Sequence, residues 1–91
     1  MIPLPLKLKK NGFDYVQVLR GKKTCIYAQW LEGELIAYEV MKIRIKPGRQ
    51  VKSVWIEERE KFPADEDFGY HAWTYKTWDR ANEKYNLLED D

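Results

Sequence analysis

The residues able to do covalent chemistry are few. Ser53, Cys25 and His71 are the single serine, cysteine and histidine of the chain. Nucleophilic catalysis needs an activated oxygen or sulfur beside a base, and nothing in the sequence brings these three together. Cys25 lies between Thr24 and Ile26 in an apolar run, where a packed thiol is expected. Zinc takes clustered Cys and His ligands, and one of each carries no such signal. His71 near Asp65, Glu66 and Asp67 offers oxygen and nitrogen ligands in principle, but a solvated acidic loop accounts for the same residues. The glycines are dispersed among turns and form no phosphate-cradling loop. No catalytic residue, metal site or cofactor is expected.

Basic and aromatic residues make the one constellation with a chemical reading. Lys42, Arg44 and Lys46 alternate along a predicted strand, and Arg49 and Lys52 follow in the same hairpin. Tyr15, Tyr27, Tyr38, Trp55 and Trp73 fall in neighbouring strands. Sheet aromatics that stack bases, with cations tracking the backbone, are a common way to hold single-stranded nucleic acid. The candidate set is Lys42, Arg44, Lys46, Arg49, Lys52, Tyr38 and Trp55. A plainer reading competes: the aromatics fill a small core and the alternating lysines keep a strand soluble. A third reading is a module for protein–protein interaction or self-association, since Tyr, Trp and Arg are enriched at interfaces.

Charge is distributed unevenly. Residues 1–56 hold eleven Lys/Arg against four Asp/Glu, a surplus of +7, and residues 57–91 carry a balance of −6, leaving +1 overall. Such asymmetry signals either a basic surface beside an acidic one or two halves that neutralise each other in the fold. A lone cysteine forms no internal disulfide. Met1 to Leu6 has no basic leader and only a short apolar run, and no stretch is apolar enough to span a bilayer. A cytoplasmic setting without membrane contact is expected.

These residues have to be positioned by a single domain, 1–91, since the length allows one core. Residues 1–9 alternate Ile2, Leu4, Leu6 and Leu8 in a strand period, with Pro3 and Pro5 restricting them to an edge strand or an arm. Phe13–Arg20, Thr24–Trp30 and Leu35–Lys46 read as strands separated by turns. The apolar set of the last shifts phase between Val40 and Met41, which implies either a bulge there or a first half covered on both faces. Val51–Glu57 is expected to return beside the basic strand, 57–69 to form an acidic loop with at most one local turn, and Tyr70–Tyr75 to be the last strand.

Thr77 fits an N-cap, and Trp78, Ala81, Tyr85 and Leu88 share one face of a helix over 77–88, with a frayed tail beyond. The fold class is therefore α+β: an antiparallel sheet of about five strands with one C-terminal helix packed on one face. The opposite face has to be polar, closed on itself or covered by a partner.

The run Glu66-Asp67-Phe68-Gly69, then Ala72-Trp73-Thr74-Tyr75 and the helix bearing Ala81, Lys84 and Tyr85, resembles a pattern in small bacteriophage and mobile-element proteins. That resemblance spans roughly residues 36–88 and brings no known activity. The order of strands and then a helix is also similar to that of the WGR domain, a nucleic-acid-associated module. The Trp-Gly-Arg motif is absent, so no residue carries over.

Overall fold

A computed structural model describes residues 1–91. The strands are β1 (Lys7–Lys10), β2 (Phe13–Arg20), β3 (Thr24–Leu31), β4 (Glu34–Lys42), β5 (Arg44–Lys46), β6 (Arg49–Val51), β7 (Val54–Ile56), β8 (Arg59–Lys61) and β9 (Ala72–Tyr75), followed by helix α1 (Trp78–Glu89). The main sheet has the order β1-β2-β3-β4-β9, antiparallel throughout. The predicted class, five antiparallel strands with a single C-terminal helix, is the one observed.

Local chemistry sets the first hairpins. Asn11 and Gly12, and again Glu32 and Gly33, have paired positive φ values (54° and 85°, then 48° and 82°). Two such residues in succession twist a two-residue turn in the sense the strands require. Glycine at the second position makes that conformation inexpensive.

Alternation along the central strands settles the phase question. Val40 and Met41 are both fully buried, on opposite faces, and the β3–β4 register is unbroken from Tyr38 to Lys42. No bulge separates them; the strand is covered on both sides where they meet, rather than along its first half as the second expectation had it, since Leu35 is exposed. On one face Ile26 and Val40 meet Ala81 and Leu88 of α1, with Tyr85 and Trp73 at the margin. Ala81 is fully buried, and its small side chain lets the helix axis approach the sheet. Thr77 caps α1 as expected, its hydroxyl accepting the Arg80 N–H.

The other face is covered by the chain itself. Tyr15, Cys25, Tyr27, Met41 and Ala72 are roofed by Leu4 from the N-terminal arm and by Phe62 and Phe68 from the segment before β9. Phe62 is the keystone: its ring stands edge-on to both Tyr15 (5.2 Å) and Tyr27 (5.3 Å). The arm crosses rather than extends the sheet. Ile2 donates to the Glu58 carbonyl and accepts from the Glu60 N–H, and Leu4 N–H reaches the Glu60 carboxylate at 2.8 Å. Pro3 and Pro5 occupy the alternate positions, where no donor is needed.

Several boundaries differ from expectation. The basic strand breaks at Ile43, whose N–H still bonds Lys23 while its side chain packs under the second face. Residues 44–46 then leave the sheet. They pair with β8, and β6 pairs with β7, so Val54–Ile56 does not return beside Arg44–Lys46. Part of the acidic loop is strand β8, and Asp65–Asp67 forms one 3-10 turn. The last strand begins only at Ala72. The tail is less frayed than its charge suggests, because the Glu89 carboxylate accepts the N–H groups of Lys22 and Lys23 and clasps the β2–β3 turn.

The two short ladders share one register. Lys46 faces Arg59, and Arg49 faces Ile56, so Pro47 and Gly48 fall opposite Glu58 and Glu57. Residues 44–61 are thus one antiparallel ribbon, interrupted where Pro47 lacks an N–H and closed by a turn at Lys52 and Ser53, with Lys52 at φ 55°. Residues 49–55 are all exposed.

Candidate nucleic-acid interface

The ribbon carries most of the candidate residues. Strand alternation puts Arg44, Lys46, Gly48 and Gln50 on one side of the first strand, with their partners Lys61, Arg59, Glu57 and Trp55 on the same side of the second. Trp55 is 63% exposed. Its indole rests over Gly48, where a Cβ would come within 2.6 Å of the ring. Glycine at 48 therefore gives the indole a flat backbone seat and leaves its other face to solvent.

Cations differ in how committed they are. Arg44 donates to Asp67 at 2.8 Å, and Lys61 lies 3.8 Å from the same carboxylate. The Ala64 N–H, together with these two cations, holds Asp67 below the usual carboxylate range. Arg20 grips Glu60 with two hydrogen bonds of 2.6 Å, which keep that carboxyl low as well. These contacts fix the base of the ribbon to the body. Lys46, Arg49, Lys52 and Arg59 have no acidic partner within ion-pair distance. Lys46 and Arg59 also flank an open groove of about 540 Å³ floored by Pro3, Pro5 and Phe62.

Two other predicted site residues lie elsewhere. Lys42 ends β4 with its ammonium 5.8 Å from the Trp73 ring, which also receives Lys84 at 4.1 Å. Tyr38 stands edge-on to Trp78 at 5.5 Å, in the seam between sheet and helix. Of the seven candidates, Lys46, Arg49, Lys52 and Trp55 gather on the projecting ribbon. Lys42 and Arg44 border a separate hollow with Lys22 and Lys23. Neither face of the main sheet offers an open stacking surface, since one lies under α1 and the other under the arm, Phe62 and Phe68.

The remaining reactive groups lie apart, with Ser53 exposed in the ribbon turn. Cys25 is fully buried, and burial pushes its thiol up to about 12. His71 contributes backbone, its N–H bonding the Asp67 carbonyl and its carbonyl accepting from Lys42. No three His, Cys, Asp or Glu side chains cluster as metal ligands, and no helix is long and apolar enough to cross a membrane.

One polar residue escaped sequence reasoning. Glu39 is 4% exposed, and one carboxylate oxygen, Oε2, has no hydrogen-bond partner. Burial drives its carboxyl up to about 7. The available signal was a charged residue between Tyr38 and Val40, inside an apolar strand.

Comparison with protein-family models, with curated proteins and with solved structures finds no significant match.

Proposed function

We propose that the protein is a non-catalytic accessory domain that binds single-stranded nucleic acid through its β5–β8 ribbon, in a cytoplasmic setting. The observation that carries this reading is Trp55, an exposed indole seated on Gly48, on the ribbon side that also bears Lys46 and Arg59, two cations that lack acidic partners. A base stacks on the indole while Lys46, Arg49, Lys52 and Arg59 follow the phosphates, a division of labour common to proteins that hold single strands. The reading relocates the expected surface from the sheet to the ribbon.

Fluorescence anisotropy with labelled single-stranded oligonucleotides tests it. Affinity should fall steeply as salt rises, because phosphate contacts release counterions. Trp55→Ala should cost about 1–3 kcal/mol, and reversing Arg49 and Lys52 together should flatten the salt slope. No binding at low salt, or binding unaffected by both variants, would overturn the proposal.

A second reading has its own observation. Val51 and Val54 face each other at the ribbon tip, exposed by 39% and 61%. An apolar pair on a projecting element suits a protein partner or a second copy, as in a small self-associating protein of a phage or mobile element. Concentration-dependent light scattering that disappears on Val54→Lys would favour it.

A further inference from the structure

Beneath Phe62, on the face opposite α1, a cavity of about 200 Å³ lies between β1, β2, β4 and the 3-10 turn. Phe13, Tyr15, Phe62 and Phe68 line it, together with the Glu39 and Asp65 carboxyls. We propose that this cavity is a binding site for a small organic ammonium group, a methylated amine, held by aromatic faces and paired with Glu39. This inference is independent of the nucleic-acid reading, because no residue of the ribbon tip takes part.

Three observations carry it. Phe62 already receives an ammonium over its ring face, with Phe13, Tyr15 and Phe68 lining the same cavity, and aromatic faces are how cages recognise methylated ammonium groups. Glu39 lines the cavity, is more than nine-tenths buried and has Oε2 unpartnered, and a carboxyl so placed ionises only where a counter-charge reaches it. The chain's own Lys10 already samples this chemistry at the rim: its ammonium stands 5.4 Å from the Phe62 centroid and donates to the Pro63 carbonyl at 2.8 Å. A bare divalent ion is poorly served, since hard cations take six or more oxygens and no third acidic or imidazole side chain joins the two carboxyls.

The groups facing Glu39 are Lys10 from β1, the Tyr15 hydroxyl from β2 and Asp65 from the 3-10 turn. Lys10 favours the ionised carboxylate and Asp65 opposes it. A bound ammonium favours ionisation further, so binding is linked to release of the Glu39 proton and strengthens as pH rises.

The test is an NMR titration of the full chain with tetramethylammonium chloride, with sodium chloride and the neutral isostere tert-butanol as controls. Saturable shifts are expected in the rings of Phe13, Phe62 and Phe68. Affinity should be about tenfold higher near pH 8 than near pH 6, given a carboxyl that titrates at about 7. Glu39→Gln should weaken binding and remove its pH dependence without loss of fold, since it keeps the side chain's shape. Lys10→Ala should strengthen binding by clearing the rim. Shifts no larger than those with sodium chloride, an equal response to tert-butanol, or pH-independent binding by the wild-type chain would overturn the proposal.

Discussion

Single residues hold the two chemical peculiarities of this chain, and both concern charge placed against apolar surface. Glu39 has a direct thermodynamic consequence. Its folded carboxyl keeps its proton up to about 7, whereas an ordinary one loses it near 4.5. The folded state therefore binds more protons between those values, and stability falls as pH rises through that window. Glu39→Gln should leave stability at the acid end nearly unchanged and raise it at pH 8 by on the order of 2 kcal/mol. Urea unfolding at several pH values checks this; an equal gain at every pH would show that ionisation is not the cause. Sequence alone marked Glu39 only as one polar letter in an apolar run. Its burial depends on Phe62 and Pro63, which arrive from a segment with no periodicity to announce its path. Trp55 was legible as a candidate, but its seat on Gly48 was not, because the contact depends on cross-strand register.

At the scale of elements, the molecule divides into pieces that bury side chains and pieces that do not. The helix, its N-cap and its contact face were readable because a 3.6-residue period survives in Trp78, Ala81, Tyr85 and Leu88. The first three strands were readable from their turns. The ribbon was misassigned because residues 44–46 and 54–56 are both good strands; propensity does not say which strand pairs with which. The division predicts contrasting variants. Phe62→Ala removes the ring that both Tyr15 and Tyr27 meet edge-on and should cost about 3 kcal/mol. Replacing Gly48–Glu57 with a two-residue turn deletes residues that are nearly all exposed and should shift the thermal midpoint little. Thermal unfolding followed by circular dichroism compares them, and a large loss in the shortened ribbon would show that its tip packs on the body.

Taken whole, the molecule is more extended than its length requires. Its radius of gyration is 14.0 Å over extents of 46 × 35 × 22 Å, against about 12 Å for a compact chain of this size. The projecting ribbon accounts for the difference in kind. The charge asymmetry seen in the sequence resolves here into joinery: Arg44 meets Asp67 and Arg20 meets Glu60, so part of the basic half is neutralised where the ribbon joins the body. Both carboxyls titrate below their ordinary values. The stability they supply is complete above the ordinary carboxylate range and is lost as pH falls through the depressed values. Amide exchange in β5 and β8 should therefore accelerate on acidification, and Asp67→Asn should accelerate it already at neutral pH. Exchange that ignores both changes would mean the ribbon base is held by its backbone ladder alone.

Strands β4 and β9 are neighbours in the sheet, yet residues 43–71 intervene between them. During synthesis, β4 emerges from the ribosome with one side paired to β3 and the other bare until the whole excursion has followed. For that interval the nascent chain presents an open edge of apolar residues, the kind of surface on which chains aggregate or exchange segments. A pause in translation before β9 is clear of the ribosome would lengthen the exposure.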